Sequence, residues 1–164
     1  MSTAGTFDID QYDATIVVTH ETTGVVYCTA KTNSAGCVPT IASDAGWPKI
    51  GGTNFFVTAT NVLNSKNGLF FYGTQARAQI PFLGGTLCTL PPLKRTPIQN
   101  AGGTPPPAVD CSGLFFLDVS VWATLDPGLT VGSSMYGQFW SRDPAISDGS
   151  GVGLTDAVEL YVCF

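Results

Sequence analysis

The sequence predicts an all-β chain: an antiparallel β-sandwich, jelly-roll or Ig-like, of about eight strands stapled by disulfides. Three observations predict it. β-rich runs recur along the chain, whereas no stretch of twelve residues carries apolar positions at i, i+3, i+4 and i+7. Nineteen glycines and eleven prolines supply tight turns between those runs. Five cysteines, at 28, 37, 88, 111 and 163, are spaced for cross-links and match no zinc pattern.

The elements follow in order. Residues 1–13 precede the first strand as an N-terminal arm. "ATIVVTH" (14–20) and "GVVYCTA" (24–30) flank "ETT" and read as a hairpin. "TNFFVTATNVL" (53–63) starts after Gly51-Gly52, with Phe55, Val57 and Ala59 on one face. "GLFFYGTQARAQI" (68–80) follows the turn dipeptide Asn67-Gly68. "GLFFLDVSVWATL" (113–125) alternates over its length: Phe115, Leu117, Val119, Val121, Ala123 and Leu125 face the core, and Asp118, Ser120, Trp122 and Thr124 face away. "SSMYGQFWSRD" (133–143) is the next strand. "DAVELYVCF" (156–164) is the last, with Val158, Leu160, Val162 and Phe164 on one side and Glu159 and Tyr161 on the other. Between these runs lies 87–111, where prolines and glycines remove ladder donors. It reads as a surface excursion, serving as a semi-rigid crossover between sheets. The likeness of "GLFFYGTQA" to "GLFFLDVSV" is what two short apolar strands after turns produce, and it is not a repeat.

Composition limits the function. At 164 residues the chain fits one domain spanning 1–164 and can bury a core without a metal. Charged residues are 12% of the chain, against about 25% in typical soluble domains. The net charge is −5, and the seven Lys and Arg form no basic stripe, so a nucleic-acid partner is disfavoured. No run of apolar residues is long enough to span a bilayer. The opening "MSTAGTFDID" has neither a basic nor an apolar leader region, so export is expected after removal of a leader or by a route without one.

Small-loop pairing is the expected arrangement of the cysteines. Cys28 and Cys37 flank the turn-rich "TAKTNSAG", and Cys88 and Cys111 flank the Pro/Gly stretch and tie its base. Cys163 is then left over or competes for Cys88 or Cys111. Disulfides place the protein in an oxidising compartment, hence extracellular or at the cell surface.

Catalytic chemistry has little to work with. His20 is the one histidine and sits beside Glu21 at a hairpin tip, without a nucleophile or an orienting group. "VGSSM" is not a nucleophile elbow. Asp118, on the outward parity of its strand, could face a groove, and Asp143, Asp148 and Asp156 lie on or next to the loop in 136–151, but nothing pairs two of them as glycoside hydrolysis requires. No cofactor is expected. Calcium has two candidate places. "FDIDQYD" (7–13) clusters Asp8, Asp10 and Asp13 but carries Asp13 and Thr19 where an EF-hand loop needs Gly and Glu. "SDGSG" (147–151) offers one carboxylate and backbone oxygens, for which a solvated turn is the simpler account. Trp47, Trp122, Trp140, Tyr136 and Tyr161 are expected to pack as a second small core under the long proline loop, and would stack on sugar rings if displayed in a row. The candidate ligand-binding residues are Trp122, Tyr136, Trp140, Arg142 and Asp143.

The ending "YGQFWSRDPAISDGSGVGLTDAVELYVC" resembles the C-terminal β-rich domains of secreted proteins from environmental bacteria, a family of uncharacterised function. The resemblance rests on Gln138, Phe139, Trp140, Arg142, Asp143, Leu154, Thr155, Asp156, Ala157 and Cys163, with "CTAKTNSAGCVPTI", "FLGGTLC" and "CSG" upstream. It covers roughly residues 25 to 164. It implies a sandwich module that binds or assembles outside the cell and supplies no activity. On physical grounds Arg142, with five donors in a fixed fork, is expected to satisfy loop carbonyls or to pair with Asp143, Asp148 or Asp156, with Trp140 packed nearby. The expected function is therefore non-catalytic: adhesion or assembly, as the structural subunit of a surface layer or filament, by self-association or contact with another extracellular protein. Strand 156–164 or segment 1–13 would add to a neighbour's sheet edge. The alternative is a carbohydrate-binding module that takes a glycan on exposed Trp and Tyr.

Overall fold

A computed structural model describes residues 23–164. The hairpin partner 14–20, His20, the 1–13 arm and the Asp8, Asp10, Asp13 cluster lie outside the described residues. In chain order the elements are β1 (Val25–Tyr27), β2 (Thr40–Ser43), β3 (Phe56–Val62), β4 (Asn67–Gly73), β5 (Arg77–Phe82), β6 (Gly85–Thr89), β7 (Lys94–Arg95), β8 (Gln99–Asn100), β9 (Gly113–Asp118), α1 (Val119–Leu125), β10 (Ser134–Arg142) and β11 (Val152–Tyr161). The chain is nearly all-β, and the named strands pair antiparallel. Strand segments outnumber the eight expected because β1, β7 and β8 are only two or three residues long.

Three layers stack. A large sheet runs β1-β11-β10-β4-β7, with β8 also on β4, and a small sheet runs β2-β3-β9. The core between them takes Ile41, Val57, Ala59 and Phe115 from the small sheet and Phe70, Tyr72, Met135, Phe139, Val158 and Leu160 from the large one. Phe139 lies parallel to Phe115 at 5.7 Å and edge-on to Phe70 at 5.0 Å. Gly137 makes this possible, because a Cβ there would enter the Phe70 ring. The third layer is the β5–β6 hairpin. It lies on the outer face of the large sheet over a second cluster of Phe71, Leu87, Val152 and Leu154.

Both faces of β11 are apolar because of a bulge. Gln138 pairs with Ala157 but Trp140 pairs with Leu154, which leaves Thr155 and Asp156 opposite Phe139. The extra residue flips the parity, so Val158 and Leu160 enter the main core while Val152 and Leu154 enter the hairpin cluster.

Several expectations are corrected. Residues 119–125 are a helix, not the second half of a strand. Asp118 caps it, accepting from the amides of Ser120 (3.1 Å) and Val121 (3.2 Å). Val119 and Ala123 share a strand parity, but they are also an i, i+4 pair, and only these two of the expected four are buried. Run 68–80 is two strands, β4 and β5. Strand β11 is paired with β10 on one side and β1 on the other, so it is not a free strand for a neighbour. Phe164 is exposed rather than inward. The 87–111 stretch is not a bare excursion, since it contains the end of β6 and lays β7 and β8 along the edge of β4.

The cysteine set is as expected, but the pairing is not. Cys28 joins Cys88 and Cys37 joins Cys111, while Cys163 is free. Segment 28–37 is closed instead by Asn33, whose Oδ1 accepts from the amides of Ala35 and Cys37, both at 3.0 Å. The cysteines are thereby available to link distant layers. Each closes a loop of 60 or 74 residues, worth roughly 4 kcal/mol in the chain-entropy model. Because the loops overlap, their joint effect is less than the sum. The disulfides are consistent with a secreted protein. No helix among the described residues is long and apolar enough to cross a membrane.

Candidate functional site

The carboxyl-terminal motif turns out to be a set of internal ties. Gln138 is fully buried. Its Nε2 donates to the carbonyls of Thr86 (3.0 Å) and Thr155 (2.6 Å), and its Oε1 accepts from the Cys88 amide (3.2 Å). One amide thus fastens β6 to the bulge in β11. The Thr155 hydroxyl takes the Phe139 amide (3.0 Å) that the bulge leaves without a ladder partner. Asp156 reaches across the sandwich, where its Oδ1 accepts from the Ile41 amide (2.7 Å). Burial holds this carboxyl above its ordinary range, against the pull of the Ile41 amide.

Asp143 is also fully buried. Its Oδ2 accepts from the Ser34 amide (2.8 Å), so it anchors the 28–37 segment to the end of β10. Arg142 is exposed and makes no hydrogen bond or ion pair among the described residues, contrary to its expected role. The tie expected of Arg142 is made by Lys31, which the sequence reading missed. Lys31 is 8% exposed, and its Nζ donates to the Leu83 carbonyl (2.8 Å) and Ser150 Oγ (2.7 Å) and pairs with Asp148 (2.5 Å). Hydrogen bonds from Lys31 and Ser150 bring the Asp148 carboxyl down to about 2. Its charge is therefore already matched by an ammonium, which competes directly with calcium at "SDGSG". Among the described residues no three His, Cys, Asp or Glu side chains cluster.

The five aromatics do not form one row: Tyr136 and Tyr161 share a face through the β10–β11 register, and Trp47 meets Tyr161 edge-on at 6.3 Å, but Trp122 and Trp140 lie elsewhere. Trp122 packs against the main core from α1, and its Nε1 donates to the Tyr72 hydroxyl (2.9 Å). That hydroxyl donates to Asp126, which also pairs with Lys94 at 2.6 Å. Burial, then the bond to Asp126, pushes the Tyr72 hydroxyl far above its usual range. Tyr136 is half-buried in β10, opposite Gly73 and Glu159. Trp140 belongs to the hairpin cluster on the other side of the large sheet from Trp122. Of the five candidate residues, Trp140 lines a cavity.

That cavity is a cleft of about 250 Å³ under the β5–β6 hairpin. Leu69, Phe71 and Trp140 form its floor, Phe82, Leu83 and Leu87 its roof, and Leu93 and Arg95 its side. The roof ends in a two-residue turn in which both Leu83 (φ 47°) and Gly84 (φ 72°) are left-handed, the geometry of a type I′ hairpin. Leucine is a costly choice there. The Lys31 ammonium on the Leu83 carbonyl holds the turn.

A second feature is the outer face of the small sheet. It presents Thr40, Ala42, Phe56, Thr58, Thr60, Leu114 and Phe116, with one charge at its end, Asp118 opposite Phe56, whose carboxylate is taken up by the amides of Asn54, Ser120 and Val121. Phe116 is 56% exposed and meets Phe56 edge-to-face at 6.4 Å. Val121 and Leu125 of α1 are also exposed, Leu125 at 67%.

Comparison with protein-family models, curated proteins and solved structures finds no match to this chain.

Proposed function

We propose that the protein is a non-catalytic extracellular β-sandwich subunit that works by surface contact, assembling with copies of itself in a surface layer or filament. The largely apolar outer face of β2-β3-β9, whose one strand carboxylate, Asp118, is occupied in capping α1, carries this reading. A half-solvated strand normally alternates apolar and polar residues. Strand β9 instead places Leu114 and Phe116 outward and Phe115 inward, so both faces are apolar. Exposed apolar surface that continues over several elements marks an interaction site. The paired cysteines support an oxidising, extracellular setting. The glycan reading gains less from the geometry, because Trp122 and Trp140 lie in different layers and the Trp122 indole N–H is already bonded inside the fold.

Light scattering of the non-reduced protein across a concentration series tests the proposal. The expected result is a mass that climbs with concentration for the wild type and stays monomeric for Phe116→Glu. A wild-type monomer at every concentration overturns self-assembly.

A further inference from the structure

We propose that the cleft under the β5–β6 hairpin is a binding site for a small amphipathic monocarboxylate: a hydrocarbon body with one carboxylate, as in a medium-chain fatty acid. This site lies on the opposite face of the large sheet from the assembly surface and does not depend on it. Three observations carry it. Seven of the eight lining residues are leucine, phenylalanine or tryptophan, so the body of the ligand is hydrocarbon. The eighth is Arg95, which stands opposite Phe71 across the β4–β7 pair and so shares its face. Arg95 is exposed and makes no ion pair or hydrogen bond among the described residues, which leaves its planar fork for a carboxylate. The cleft, at about 250 Å³, falls just below the roughly 300–1,000 Å³ of drug-sized sites, which fits a single chain.

The third observation is the roof. Leu83 sits at a backbone position that disfavours leucine, with its side chain lining the cleft while 44% exposed. A hairpin tip built only for stability would place Asn or Gly there. The strained turn is instead held by Lys31, itself fixed by Asp148 and Ser150. Phe82 and Leu83 are thereby kept over the opening, available to close on a hydrocarbon.

The test is titration calorimetry with decanoate, below its micelle concentration, and with 1-decanol as the neutral analogue. Wild type, Arg95→Gln and Phe116→Glu are compared at monomeric concentrations. Arg95→Gln leaves the fold intact, since its side chain makes no bond among the described residues. Saturable single-site binding of decanoate by the wild type is expected. In Arg95→Gln the preference for decanoate over decanol falls by about tenfold or more, the worth of a hydrogen bond to a charged group. Phe116→Glu binds as the wild type does. Absence of saturable binding overturns the proposal, as does unchanged decanoate preference in Arg95→Gln. Loss of binding in Phe116→Glu alone also overturns it, because the ligand would then sit on the outer face of the small sheet.

Discussion

Replacing Gln138 by methionine separates a structural tie from a recognition motif. Methionine matches glutamine in length and fills the same volume, so no cavity opens. Three backbone groups lose their partner: the Thr86 and Thr155 carbonyls and the Cys88 amide. Gln138 is 0% exposed, so solvent cannot replace the lost bonds without opening the hairpin. An unsatisfied buried group costs about 1–3 kcal/mol. Thr86 and the hairpin can shift toward water, which brings the sum toward the lower end. The expected loss is about 3 kcal/mol. With a urea m-value of about 2 kcal/mol/M for a chain of this size, the midpoint falls by roughly 1.5 M. Urea unfolding of the oxidised protein, followed by tryptophan fluorescence, measures this. A midpoint within about 0.3 M of wild type at unchanged m would refute the view that Gln138 holds the third layer to the sheet.

Other outcomes follow from the same structure. Proteolysis without reduction, after alkylation, should yield one cross-linked peptide pair holding Cys28 and Cys88, another holding Cys37 and Cys111, and modified Cys163; a Cys28–Cys37 peptide would contradict the layered arrangement. Two carboxyls give opposite pH dependences. Asp148 is held down to about 2, so its contribution is complete above its unfolded value of 3.8 and disappears as pH falls toward about 2; Asp148→Asn should flatten that acid limb in urea midpoints taken from pH 5 to 2. The Asp156 carboxyl is held up by burial, so its ionisation costs stability as pH rises from about 3.8 through its folded value. Asp156→Asn keeps an oxygen for the Ile41 amide, and its stability relative to wild type should rise over that window and then level. A difference that falls with pH would contradict the burial argument.

Alternation made much of this fold legible. Phe55, Val57 and Ala59, and then Val158, Leu160 and Val162, enter the core as their period of two requires. The same rule misled at 119–125, because a strand parity contains helical i, i+4 pairs and the signal that decides is the cap at Asp118. The cysteine set was readable from count and context; its pairing was not, because a turn-rich segment can be closed by a single asparagine. Lys31 and the cleft left no periodic trace. Both arise where the β5–β6 hairpin folds over the large sheet, a long-range placement that depends on Gln138 and a bulge. Arg142 and Lys31 show how little residue type alone decides: the guanidinium is in solvent and the ammonium is inside.

The two cross-links also determine how the chain would carry a load. A pull transmitted along the backbone enters at Cys28 and leaves after Cys111. The shortest covalent route between these residues runs from Cys28 to Cys37 and then across one sulfur–sulfur bond. At about 3.5 Å per residue, that route extends by roughly 30 Å, whereas the same stretch without bridges would unravel to roughly 290 Å. Strands β2 to β8 all lie within the bypassed stretch. Under tension they are shielded from unravelling, and most of the slack available to the described chain lies beyond Cys111, in β9, α1, β10 and β11. The stretch from Cys28 to Cys111 therefore lengthens little before covalent bonds bear the force, and extension falls to the strands beyond it.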